Sequence, residues 1–352
     1  MFPKLRFKDF DGDWLKLKYK DVLTIRYGKD HKSLNDGDIP VYGTGGLMRH
    51  VNKYLYDGES ILIGRKGTID KPKYINEKFW TVDTLFYTEI EESIVPLFLY
   101  QHALEVNWLG LNEATGVPSL NTTSIYNIDI SIPSKEEQTK IASFLSAVDE
   151  KISQLTKKHE LLSQYKQGMM QKLFSQQVRF KADDGSEFGE WDQLKFKDVI
   201  KIKYGKDHKK LDDGDIPVLG TGGVMRYVDS YLYEGESILI GRKGTIDKPR
   251  FISGKFWTVD TLFYTEIGEK ILPKFAFQQL LLVNWLNLNE ATGVPSLNTT
   301  SIGNIELKVP CLAEQTKIAN VLSAIDQKIE VVSKQIEQAK QWKKGLLQQM
   351  FI

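Results

Sequence analysis

Two blocks of this chain carry side chains able to grip an anionic polymer, and each block occurs twice. Residues 58–72 set Arg65, Lys66, Thr68 and Lys71 on a glycine-rich turn, with Lys73 just beyond. Arg26, Lys29, His31, Lys32 and Arg49 add positive charge upstream. Guanidinium, ammonium and hydroxyl donors on loops reach phosphate oxygens, and arginine can read guanine through a bidentate contact. The second block, 111–125, is dense in hydroxyls and amides, Asn121 and Thr122 among them. Such groups donate to phosphates or base edges, but they equally build turns and helix caps. A solvated β-turn with routine charge is the plain alternative for the first block. The same donors recur as Lys206, His208, Arg226, Arg242, Lys243, Thr245, Lys248, Asn298 and Thr299.

Catalytic patterns are sparse. No Cys/His cluster has metal-ligand spacing, so no metal site is expected. Residues 58–68 approach a phosphate-binding loop but have one residue too many, and Arg-Lys-Gly where Lys-Ser/Thr belongs. Asp30-His31-Lys32, repeated as Asp207-His208-Lys209, fits the loose acidic-x-Lys pattern of nucleases. Asp83 and Glu89, placed on one strand, would stand too far apart to act on a single bond. No catalytic residue is therefore assigned. A stand-alone nuclease using Asp30 and Lys32 is the alternative reading, and a coiled-coil scaffold is a third.

The larger organisation is a duplication. Residues 17–133 align with 194–310 at a constant offset of 177 without a gap, and 31 of the 117 positions differ. Each copy begins as a mixed domain. Residues 59–63 and 79–87 are rich in β-branched and aromatic side chains and read as strands. Residues 97–109 read as a helix, and 125–132 alternate like a strand. Phe79, Trp80 and Trp108 read as core rather than stacking platforms. A long helix follows in each copy. Ser134 and Glu137 have capping-box spacing. Ile141, Leu145, Val148, Ile152 and Leu155 alternate at four and three, the spacing of a coiled-coil seam. Ile318, Leu322, Ile325, Ile329 and Val332 repeat it. The stripes continue through Leu162, Tyr165, Met169 and Leu173, and through Ile336, Trp342 and Leu346, with a phase shift near each end. One narrow apolar stripe per helix is satisfied if the two helices pair, antiparallel, about a pseudo-two-fold axis. The stub at 5–14 resembles 178–191, which follows the first helix, so it should pack where the second helix ends, with Ile352 near the N-terminus.

Composition is that of an ordinary globular chain, with 41% hydrophobic residues, 26% charged and a net charge of +1. Global balance does not exclude local basic patches. The single Cys311, whose counterpart is Ser134, suits a reducing compartment, and no apolar run is long enough to cross a bilayer. The charged start has no signal-peptide core. A cytoplasmic location is expected.

Taken together the pattern resembles the DNA-specificity subunit of a type I restriction–modification system. The residues that carry the resemblance are 114–125, Ile128-x-Ile130-x-Ile132-Pro133, Glu137-Gln138-Thr139-Lys140-Ile141-Ala142 and Asp149-x-Lys151-Ile152, with their second copies at 291–302, 305–310, 314–319 and 326–329. Residues 64–69 look like the family's common hairpin. The resemblance implies an α+β protein with a target-recognition domain at 1–133, a spacer helix at 134–175, a second recognition domain at 176–310 and a second spacer at 311–352. It implies double-stranded DNA as ligand, two methyltransferase subunits docked on the spacers and, in some complexes, restriction/translocase subunits. S-adenosylmethionine, ATP and Mg would belong to those partners, which flip and methylate an adenine; this chain would hold no cofactor and catalyse nothing itself. In the family the two recognition domains usually differ. Here they are near-copies, so a split target with reverse-complementary halves is expected, their centres about one helical turn, roughly 10 bp, apart.

Overall fold

The computed structural model describes residues 3–351, and the expected proximity of Ile352 to the N-terminus lies outside them. Its contacts divide the chain into two units, Met1–Lys157 with Ser333–Ile352, and Lys158–Val332.

The first unit contains β1 (Leu15–Lys18), β2 (Leu23–Tyr27), β3 (Ile39–Gly43), β4 (Gly46–Val51), β5 (Tyr56–Gly64), β6 (Lys73–Thr81), β7 (Leu85–Ile90), α1 (Pro96–Ala103), α2 (Thr122–Tyr126), β8 (Asp129–Ile132) and the start of α3 (Lys135–Phe174). Six strands form one sheet in the order β2-β7-β5-β6-β3-β4, and β1 pairs with β8. Every pairing is antiparallel except β3 with β6. The expected single strand at 79–87 is two strands, because the chain turns at Val82–Thr84 and Leu85 N–H closes on the Val82 carbonyl at 2.9 Å. Asp83 therefore sits in a turn and shares no strand face with Glu89. The expected helix at 97–109 stops at Ala103, whose carbonyl accepts from Trp108 Nε1 at 2.8 Å, and a 3-10 turn at Trp108–Leu111 follows. The expected strand at 125–132 begins only at Asp129, since 122–126 is the helix α2 capped by Asn121.

β5 changes partner along its length, and side chains bridge the break. Buried Ser60 donates from Oγ to the Thr88 carbonyl at 2.8 Å, while Thr88 Oγ1 accepts from Ile61 N–H at 2.9 Å. These bonds satisfy backbone groups that the strand ladder leaves open.

The second unit repeats the arrangement as β9 (Asp192–Lys195), α4 (Phe196–Val199), β10 (Ile200–Tyr204), β11 (Ile216–Gly220), β12 (Gly223–Val228), β13 (Tyr233–Gly241), β14 (Arg250–Thr258), β15 (Leu262–Ile267), α5 (Pro273–Leu280), α6 (Thr299–Gly303), β16 (Glu306–Val309) and the start of α7 (Leu312–Met350). Its sheet order is β10-β15-β13-β14-β11-β12.

Each core is closed by both long helices. In the first unit Ile141, Ala142, Leu145 and Val148 of α3 share an apolar cluster with Leu346, Leu347 and Met350 of α7. In the second, Ile318, Ala319, Leu322 and Ile325 of α7 share one with Met170, Leu173 and Phe174 of α3. The helix pairing is thus antiparallel. Each large side chain so buried contributes about 1.5–3 kcal/mol. Leu155 and Val332 are buried, whereas Ile152 and Ile329 are partly covered. Tyr165 and Trp342, also assigned to the stripe, are 57% and 55% exposed. The phase shift rotates the stripe past them and brings the next residues, Lys166 and Lys343, inward instead. Lys343 Nζ meets Asp149 at 2.7 Å, and Lys166 Nζ meets Asp326 at 2.6 Å.

The motif at 137–138 is scaffold. Ser134 Oγ accepts from Glu137 N–H at 3.3 Å, but the Glu137 carboxylate does not close a capping box. It is buried and takes two bonds of 2.7 Å from Arg6 of the stub. Gln138 Oε1 accepts from Val95 N–H at 2.8 Å, fastening the loop before α1. The stub itself follows α7 as expected, with Leu5 N–H donating to the Gln349 carbonyl at 2.9 Å. Glu314, Gln315 and Arg179 repeat the carboxylate and amide bonds, with Cys311 standing where the first unit has Ser134. No helix among the described residues is long and apolar enough to cross a membrane.

Candidate nucleic-acid interface

The parallel contact of β3 with β6 draws three distant loops together. Residues Asp30, His31 and Lys32, the β3–β4 hairpin tip with Thr44 and Met48, and the turn Val82–Asp83–Thr84 line a cleft of about 700 Å³. The equivalent cleft of the second unit, about 850 Å³, is lined by Asp207, His208, Lys209, the hairpin tip with Thr221 and Met225, and Val259–Asp260–Thr261. The ten lining positions common to both clefts are occupied by the same residues.

The cleft is preorganised by backbone bonds. Lys29 N–H donates to the Thr81 carbonyl at 2.8 Å, and Trp80 Nε1 donates to the Lys29 carbonyl at 2.9 Å. Gly28 packs so tightly that an added Cβ would fall 2.0 Å from the Val82 carbonyl oxygen. The glycine-rich turn after β5 is tied to the cleft wall, since the N–H groups of Arg65 and Lys66 both donate to the Thr84 carbonyl, at 2.8 and 3.2 Å. Gly67 N–H reaches the Pro118 carbonyl at 2.9 Å, and Leu120 N–H the Arg65 carbonyl at 2.9 Å. The two repeated donor blocks, far apart in sequence, are thereby joined beside one cleft.

The expected site residues separate into groups. His31 and His208 line the clefts, and the Nδ1 atom of each is buried without a hydrogen-bond partner. Lys29, Lys206, Lys66 and Lys243 are exposed at the rim. Arg65 lies over the Tyr27 ring at 5.4 Å and donates to the Asp83 carbonyl at 3.0 Å, and Arg242 does the same with Tyr204 and Asp260. A guanidinium held on an aromatic face is oriented before any ligand arrives. Thr68 and Thr245 sit on the same turns, with Lys71 and Lys248 exposed after them. Other residues are engaged in the fold. Arg49 donates to Asp36 at 2.8 Å and to the Leu34 carbonyl at 3.1 Å, and Arg226 to Asp213 at 2.6 Å, so both hold a loop. Asn121 accepts from Ser124 N–H at 2.7 Å and bonds Glu113, and Asn298 repeats this with Ser301 and Glu290. They are helix caps, and Thr122 and Thr299 are the first residues of those short helices.

The nuclease reading finds no support. Asp30 Oδ1 accepts from Lys32 N–H at 3.1 Å, closing a local turn. Asp207 accepts from Lys209 N–H at 3.1 Å, a bond that holds its carboxyl below the usual range. Sequence reasoning did not single out Thr44, Met48, Tyr27 or Thr84. The available signal was repetition: 27–32, 43–46 and 78–90 recur unchanged as 204–209, 220–223 and 255–267.

The chain matches the sequence model of the type I restriction modification DNA specificity domain twice, over 11–163 and 189–341. It is 28% identical to the type I restriction enzyme MjaVIII specificity subunit of Methanocaldococcus jannaschii, covering 83% of this chain and 76% of that one. The crystal structure of the type I restriction-modification system S subunit from M. genitalium superposes with a TM-score of 0.75 at 18% identity, covering 100% of this chain and 99% of the other. A chain from a study of complex assembly and conformational transition of the type I R-M system gives 0.51 at 11% identity over 96% and 97%.

Proposed function

Because the chain belongs to the type I restriction modification DNA specificity family and carries that domain twice, we propose that its two clefts read two equal DNA half-sites. The chain is a specificity subunit and not itself an enzyme; DNA and methyltransferase or restriction subunits are its partners. The proposal lies in how it reads DNA. Lys29, His31, Lys66 and the rim around them would contact one half-site, and Lys206, His208 and Lys243 the other. Rim lysines would meet phosphates, and the oriented Arg65 and Arg242 would face the groove.

The observation that carries this is the identity of the ten lining positions that the two clefts share. Equal readers borne on antiparallel helices favour a split target whose second half is the reverse complement of the first. Two methyltransferase subunits would dock on the helices and supply S-adenosylmethionine chemistry, and ATP and Mg would serve a restriction partner.

Methylome sequencing of cells expressing the chain with its cognate methyltransferase tests the proposal. A split palindromic N6-methyladenine motif is the expected result, and strongly unequal halves would overturn it. Replacing Arg65, Lys66, Arg242 and Lys243 together by Ala should flatten the salt dependence of duplex binding, because fewer counterions are displaced from phosphates. An unchanged salt slope would move the contact surface elsewhere.

A further inference from the structure

The turn Gly43–Gly46 at the hairpin tip that walls each cleft recurs unchanged as 220–223, with Leu47 replaced by Val224 just beyond it, but the residues that hold the tip from behind differ more. In the first unit Tyr42 packs beside Leu62, Phe79, Leu85 and Tyr87 and donates its hydroxyl to Glu77 Oε1 at 2.7 Å. Burial, reinforced by the carboxylate acceptor, pushes this phenol up to about 12. In the second unit the equivalent of Tyr42 is Leu219, buried in an apolar cluster, and the equivalent of Glu77 is Gly254. That bond cannot form there. Arg250 stands where the first unit has Lys73, and its Nη2 donates to the carbonyl of Gly220, a tip residue lining the cleft. Its Nη1 lies 4.0 Å from where a Cβ on Gly223 would be. Lys73 reaches the same region, with Nζ 3.5 Å from a Cβ built on Gly46, but its flexible ammonium makes no bond to the Gly43 carbonyl.

Three substitutions therefore go together, at 42/219, 77/254 and 73/250, and each unit keeps behind the tip one side-chain bond that the other lacks. Such a tip needs one. Gly46 and Gly223 have φ of +118° and +128°, a region only glycine enters freely, and that freedom makes the tip entropically costly to order. Ordering it before DNA arrives removes that cost from binding.

We propose that Tyr42 with Glu77 in the first unit, and Arg250 in the second, are alternative latches that position the hairpin tip for DNA contact. They are positioning residues rather than base readers, and the proposal rests on the assignment of the clefts to DNA.

The test uses the full chain, amide hydrogen exchange of the segments 39–51 and 216–228, and binding of a random-sequence duplex several helical turns long. Tyr42→Leu should speed exchange about tenfold at the first tip only, the effect of one hydrogen bond, and weaken duplex binding. Arg250→Lys should do the same at the second tip only. Tyr42→Leu combined with Lys73→Arg and Glu77→Gly installs the second unit's latch in the first, and should return exchange and binding to the parental values. Unchanged exchange in either single variant, or no recovery in the triple variant, overturns the latch. Faster exchange with unchanged duplex affinity overturns its role in DNA contact. Lys66→Ala with Lys243→Ala serves as the separate control: if that pair leaves duplex affinity unchanged, the assignment of the clefts fails instead.

Discussion

Beneath the sheet of the first unit, the Tyr19 hydroxyl lies 2.9 Å from His102 Nδ1, with the His102 ring edge-on to Phe351 at 5.6 Å. The same corner of the second unit holds Phe196 and Gln279, and the glutamine instead bonds the backbone of Lys308 at 2.7 and 3.0 Å. Nearby, Trp191 Nε1 donates to Glu314 at 3.0 Å, whereas Trp14 Nε1 is buried without a partner. The clefts, by contrast, carry the same residues at all ten lining positions they share. The contrast teaches what a duplicated domain is free to change. A buried polar pair can be exchanged for another when each donor and acceptor is met, because the loss is confined to groups left unpaired. A surface that must present the same groups outward has no such internal substitute.

The largest separation between the units should come from the buried ion pairs. Glu137→Ala takes the buried carboxylate from Arg6, and Glu314→Ala takes it from Arg179 and also from the Trp191 indole. Each loss is expected to cost about 3–5 kcal/mol, with Glu314→Ala the worse. Urea unfolding followed by tryptophan fluorescence measures both, and equal losses would remove this distinction.

A pH dependence of comparable size should belong to the first unit alone. Burial lowers the His102 pKa to about 4 from 6.5. The unfolded chain then binds the proton more readily, so this contribution is complete above about pH 6.5 and is lost as pH falls toward 4. A shift of that size corresponds to about 3 kcal/mol. Tyr19→Phe with His102→Gln, the second unit's residues, should flatten that part of the stability–pH curve. A curve that stays parallel to the parent's would show that His102 does not carry it.

Smaller effects follow for the indoles. Trp191→Phe loses a bond to a carboxylate and should cost about 1.5–3 kcal/mol, while Trp14→Phe removes an unmet donor and should be nearly neutral. Thermal melts of the two variants compare them directly. At the clefts the units should not separate at all: Lys66→Ala and Lys243→Ala should each reduce the salt slope of duplex binding by about one, equally. Unequal slopes would show that clefts alike at their ten shared positions do not bind alike.

Much of this organisation was legible in one dimension. An offset of 177 shows the duplication, the four-three spacing at 141–155 shows paired helices, and repeated blocks mark the donor loops. These signals are periodic or repetitive, and a helix imposes its period on the chain wherever it forms. The turn at 82–84 was hidden because its flanks, 79–81 and 85–87, share one composition, and propensity does not register a turn between two buried strands. Tertiary pairing alone decided which donors face outward. Arg49 and Asn121 have the right chemistry, yet one holds a loop to Asp36 and the other caps α2. The cleft exists because β3 runs parallel to β6, a contact between strands more than thirty residues apart that brings 30–32, 43–48 and 82–84 to one place. The chain's local preferences specify its helices and most of its strands, while the site depends on hydrogen bonds between loops that no local pattern encodes.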